Sequence, residues 1–114
     1  MDKITYFQKA IRALFKKHQY CVDVNDNDVL RDEIIEDTLH HHYQLITIGW
    51  KNERYFFAPL FHVHIANNKV WLLQNNTEWR IADELMELGI DRQDIVLGFV
   101  EPSLRQYSDF AAKA

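Results

Sequence analysis

A chain of 114 residues with 47% hydrophobic and 13% aromatic side chains can bury the core of one domain, and its composition excludes a disordered chain. A net charge of −4 and a pI near 5.8 argue against a broad cationic face that holds nucleic acid through its phosphates. The single cysteine, Cys21, rules out an internal disulfide and suits a reducing cytoplasm, and no apolar run reaches the length of a signal sequence or a membrane span.

Residues 3–19 read as an amphipathic helix. Ile4, Phe7, Ile11, Leu14, Phe15 and His18 recur at three- and four-residue steps and make one apolar stripe, which is expected to pack on a sheet. Asp2 is a suitable N-cap, and Lys16, Lys17 and His18 put positive charge where the helix dipole favours it. Residues 21–28 read as a polar linker, with Cys21 expected as an inert, partly buried thiol. The acidic and amide residues here resemble the opening of a calcium loop, but the glycine and the glutamate that such a loop needs are missing. Residues 29–37 alternate as a strand does. Arg31, Asp32, Glu33 and Glu36 make it so charged that a sheet edge is expected.

The centre of the chain is a meander of three strands, residues 42–50, 54–65 and 70–74, rich in β-branched and aromatic side chains. Asn67 and Asn68 suit a two-residue turn with positive φ, while Lys51, Asn52 and Glu53 are expected to make a three-residue loop. Pro59 lacks an N–H, so a bulge or local edge is expected beside it. With Trp50 set opposite Arg54, one face carries Gln44, Ile46, Ile48, Trp50, Phe56, Ala58, Leu60, His62 and His64, joined by Trp71 and Leu73. The other carries Tyr43, Leu45, Thr47, Tyr55, Phe57, Phe61, Val63 and Ile65, joined by Val70 and Leu72. Neither face is polar, so both need cover, and one is expected to meet another protein. Trp50, Phe56, Leu60, Trp71 and Leu73 are the candidate interface residues. The alternative is that the chain's own helices and tail cover both faces.

Residues 78–88 read as a second helix, N-capped by Thr77 and terminated by Gly89, with Ile81, Ala82, Leu85, Met86 and Leu88 turned inward. A short helical turn capped by Asp91 follows, then a brief buried strand or extended segment over residues 95–100. Pro102 opens a last turn over residues 103–107. The fold class is α+β: a helix, an antiparallel meander sheet of about four strands, a second helix, a short extended segment and a helical turn, in one domain over residues 1–114.

The histidines are the sharpest chemical signal. The register above puts His42 opposite His62 and His40 opposite His64, with β-carbons about 4.5–5.5 Å apart across the pairs. That is close enough for His40, His42, His62 and His64 to share Zn²⁺ or Ni²⁺ at about 2.0–2.1 Å per nitrogen. The competing reading leaves His40 and His42 in a wet turn and packs His62 and His64 beside Trp71. No nucleophile elbow and no glycine-rich phosphate loop is present, and the carboxylates at 33, 36, 83, 84 and 87 fit solvated surfaces. Neither catalytic residues nor a cofactor is expected.

Several blocks are more specific in combination than alone. They are Thr38, His42-Tyr43-Gln44-Leu45 with Gly49-Trp50, Lys69-Val70-Trp71, Thr77-Glu78 and Ile81-Ala82-Asp83-Glu84-Leu85. Gly89-Ile90, Asp94-Ile95-Val96-Leu97-Gly98-Phe99, Pro102, Arg105, Tyr107 and Phe110-Ala111 complete the set. In this order and spacing the chain resembles the XisI family, the fdxN element excision controlling factors of cyanobacteria. The similarity spans nearly the whole chain, strongest from Tyr43 onward. The resemblance implies a small α+β accessory protein, not an enzyme, that supports excision of a DNA element during heterocyst development. A separate site-specific recombinase performs the strand chemistry, and a nuclease-like companion, XisH, is the implied partner. A homodimer is expected, with direct DNA binding and membrane attachment disfavoured. Two other functions stand beside this one: neutralisation of the nuclease-like companion, and a metal-dependent enzyme built on the histidine face.

Overall fold

The computed structural model describes residues 2–19, 21–25 and 28–112, with the backbone alone for 21–25, 28 and 29. The chain opens with helix α1 (Lys3–His18) and continues through strands β1 (Cys21–Asn25), β2 (Asp28–Asp37), β3 (His42–Lys51), β4 (Arg54–Ala66) and β5 (Lys69–Asn75). Helix α2 (Ile81–Glu87), a 3₁₀ turn (Arg92–Asp94), β6 (Ile95–Leu97) and a second 3₁₀ turn (Pro102–Tyr107) complete it. The strands lie in sequence order in one six-stranded sheet, with five strands antiparallel in succession and β6 parallel to β5.

Helix α1 forms as its pattern demands. The Asp2 side chain accepts a hydrogen bond from the Thr5 amide at 2.8 Å, and Phe7, Ala10, Ile11, Leu14 and Phe15 are buried on one side. They meet Tyr43, Leu45, Phe61, Val63, Ile65, Val70 and Leu72 from a single sheet face, with Ile81 and Leu85 from α2 and Ile90 just beyond it closing the core. Full burial of each large apolar side chain contributes about 1.5–3 kcal/mol, so this two-layer contact dominates stability. Helix α2 ends in a Schellman motif: Gly89 takes φ 102, its N–H donates to the Met86 carbonyl, and the Ile90 N–H donates to the Leu85 carbonyl.

The sheet has more strands than expected. The segment read as a polar linker pairs with β2 as β1, with Cys21 opposite Arg31. The charged β2 is therefore interior, and β1 takes the edge. Residues 26 and 27, and the side chain of Cys21, lie outside what is described. Helix α2 starts three residues later than expected. Asn75 is the cause, because its Oδ1 accepts from both the N–H and the hydroxyl of Thr77 while its Nδ2 donates to the Trp79 carbonyl. That knot holds residues 75–79 in a bend and takes Thr77 away from the helix terminus.

Two differences in register follow from single residues. The β3–β4 connection is a two-residue turn, with Asn52 and Glu53 both at positive φ and Lys51 opposite Arg54. Pro59 pairs with Ile46 while Phe61 pairs with Leu45, so Leu60 is the extra residue of a bulge next to the proline, as its missing N–H led one to expect. Turn and bulge together slide the upper part of the hairpin by two residues and the lower part by one. Upper residues thus keep the expected face, whereas the β4 residues below the bulge change face and their β3 partners do not. The Asn67–Asn68 turn forms as expected, with Ala66 opposite Lys69.

Candidate functional site

The two helices cover one sheet face only. On the opposite face three groups of side chains stand out: an aromatic tip, a histidine cluster and a tryptophan under the C-terminal tail.

The tip belongs to the β3–β4 hairpin. Trp50 pairs with Tyr55 and Ile48 with Phe57, so these four share one face below the bulge. Trp50 is 53% exposed, Tyr55 56% and Phe57 62%. The Trp50 and Tyr55 rings meet edge to face at 5.4 Å, and a shallow groove runs beside them between Arg31, Ile48 and Gly49. Three exposed aromatic rings in one patch are what a binding surface presents, because aromatics bury large area at low cost in entropy.

The five expected interface residues do not form one surface. Trp50 stands in the patch just described. Phe56 lies on the opposite face below the bulge, because the bulge changes its parity. Leu60, the bulge residue, packs against the core from the helix side, at the rim of a cleft of about 520 Å³. Trp71 lies beneath the tail, its indole N–H donating to the Ala66 carbonyl and the Arg105 guanidinium 5.4 Å above its ring. Leu73 sits against Gly98, where a Cβ would stand 2.7 Å from its methyl. Tyr55 and Phe57, grouped with Tyr43 and Leu45 in the sequence, share the open face with Trp50 and Ile48 instead.

The histidines converge differently than expected. His42 lies opposite His64, not His62, and the two rings stack at 4.1 Å with planes 13° apart. His62 approaches diagonally, its Nε2 2.9 Å from His42 Nδ1. The His64 Nδ1–H donates to the His41 carbonyl at 2.8 Å, which fixes that ring. His40 is not part of the group. It is exposed in the turn before β3 with its Nδ1 2.8 Å from an Asp37 carboxylate oxygen, because the slide in register leaves it beyond the end of the ladder. Burial first, and then the neighbouring His64, hold His42 below the ordinary histidine range; burial followed by His42 and His64 does the same for His62. Among the described residues no three His, Cys, Asp or Glu side chains stand as a ready metal site.

A feature that sequence reasoning missed lies on the helix side. His18, expected in the apolar stripe and as positive charge at the helix end, stacks on Trp79 at 4.1 Å and meets the Phe61 ring edge at 5.6 Å. Its Nε2 shares the Glu84 carboxylate with Lys17. Burial would raise the Glu84 carboxyl, but the hydrogen bonds from Lys17 and His18 outweigh it and hold the group below its ordinary value. The signal was present in the chain, since a histidine on an apolar stripe needs a polar partner.

Comparison with known proteins gives a consistent answer. No curated protein matches the chain. A XisI-like protein from Anabaena variabilis ATCC 29413 superposes with a TM-score of 0.78 at 33% identity, over 96% of this chain and 98% of the other. The fdxN element excision controlling factor XisI from the same organism superposes with a TM-score of 0.77 at 30% identity, over 98% of this chain and all of the other. The model of the XisI protein family matches residues 1–112. With a family match over almost its full length and structural neighbours covering nearly every residue, the chain belongs to the XisI family.

Proposed function

We propose that this protein is a non-enzymatic control factor that works by docking to other proteins during excision of a DNA element, the strand chemistry being performed by a separate recombinase. The observation that carries the reading is the aromatic patch of Trp50, Tyr55 and Phe57, exposed on the sheet face that the helices leave open. The structural neighbour named as an excision controlling factor supports the biological setting. Two contacts are included in the proposal: a homodimer, and a nuclease-like companion of the XisH type.

Substitution of both Trp50 and Phe57 by serine tests it, because both side chains lie outside the core. The variant is expected to melt like the parent, lose self-association in light scattering and fail to support excision in a host that depends on it. A double variant that supports excision at the parental level would refute the docking role.

A further inference from the structure

The pair of imidazoles on the open face has a geometry that goes beyond docking. We propose that His42 and His62 form a two-imidazole site for a borderline transition-metal ion, Zn²⁺ foremost, which replaces the proton held between them. His42 Nδ1 and His62 Nε2 face each other at 2.9 Å. Two nitrogens bound to one tetrahedral ion at about 2.0–2.1 Å each stand about 3.3 Å apart. The rings therefore need to part by only a few tenths of an ångström, which half-buried side chains on a sheet surface accommodate.

The balance is simple. Two nitrogen-to-metal bonds form and one N–H···N hydrogen bond breaks. The proton of the donor ring moves to that ring's other nitrogen, so no proton is released when both rings begin neutral. Burial lowers the pKa of both rings, which favours the neutral form whose lone pair a metal ion needs. Water fills the remaining positions.

His64 shapes the site without being a ligand in this geometry. Its ring lies nearly parallel to that of His42, so the lone pairs of the two rings lie in parallel planes and do not converge. It walls the His42 ring on one side, and its own orientation is fixed through the His41 carbonyl. His40 is occupied with Asp37. Imidazole donors favour Zn²⁺, Ni²⁺ and Cu²⁺ over the oxygen-seeking Mg²⁺ and Ca²⁺.

Calorimetric titration of the tag-free protein with zinc chloride near neutral pH, with magnesium chloride as the control, tests the proposal. One zinc per chain and no magnesium binding are expected. His42→Ala and His62→Ala should each weaken zinc binding roughly tenfold or more, His64→Ala should do so less, and His40→Ala should leave it unchanged. If a variant fails to fold, the histidine ring resonances of the parent decide: zinc should shift those of His42 and His62 selectively. Lack of zinc binding, or binding that survives loss of both imidazoles, or shifts confined to other histidines, would each overturn it.

Discussion

At the tip of the projecting hairpin Glu53 sits at φ 64 beside Asn52 at φ 52, the conformation of a type I′ turn. Asparagine tolerates this region; glutamate has no local hydrogen bond that offsets the clash of its Cβ with the backbone. Glu53→Gly should therefore stabilise the protein by about 0.5–1 kcal/mol, the relief of strain being partly offset by glycine's freedom in the unfolded chain. Denaturant titration at constant slope checks it, and an unchanged or lower midpoint would refute the strain. Gly89 is the converse. Its φ of 102 already disfavours any side chain, and a Cβ there would stand 2.1 Å from the Tyr6 hydroxyl, which donates to the Gly89 carbonyl. Gly89→Ala should cost about 1–2 kcal/mol through the backbone alone and more through loss of the Tyr6 contact. A loss below half that range would mean the helix end relaxes freely.

Among the elements, legibility in the sequence followed the reach of the signal. Helix α1, the Asn67–Asn68 turn and the Gly89 cap are set by residues within a few positions of one another, and all three form as read. Register is different, because one inserted residue inverts everything beyond it. Pro59 pointed to a bulge, yet nothing in the pattern said that the bulge would move Tyr55 and Phe57 to the open face. The same slide separated His40 from His64, so the histidine cluster was foreseen as a surface but not in its membership. Strand β1 was illegible since its polar residues match a linker, and only the ladder with β2 makes it a strand. Helix α1 is also tied electrostatically, through Arg12 to Glu36 on β2 at 2.7 Å and through Lys17 and His18 to Glu84 on α2. The hydrogen bond from Arg12 holds Glu36 below its ordinary value of 4.5, and Glu84 is depressed as well. With folded values below unfolded ones, their contribution is complete above about pH 5 and lost as pH falls through the folded values. The melting temperature should be level from neutral pH down to about 5 and fall below it, less steeply in Glu36→Gln. An equal acid slope in that variant would remove the Arg12 pair from the explanation.

For the whole molecule, the radius of gyration of 15.4 Å exceeds the roughly 13 Å expected of a compact domain this long. The lower half of the β3–β4 hairpin accounts for such an extension in kind: residues 51–58 are exposed throughout, whereas Tyr43, Leu45, Phe61 and Val63 in the upper half are fully buried. One ladder thus crosses two environments, a helix-covered body and a projecting arm held mainly by strand pairing and its own ring contacts. Local opening should be easy in the arm and limited by global unfolding in the body. Hydrogen exchange should accordingly be fast for amides of 48–58 and slow for those of 43–46, 61–65 and 70–72. If the aromatic patch joins two copies, raising the protein concentration populates the associated state by mass action and protects the arm alone. Exchange in the arm should then slow as concentration rises while the body stays constant. Arm exchange that is indifferent to concentration, in a sample that remains monomeric by light scattering, would remove the second copy as its occupant and leave the patch to a different protein.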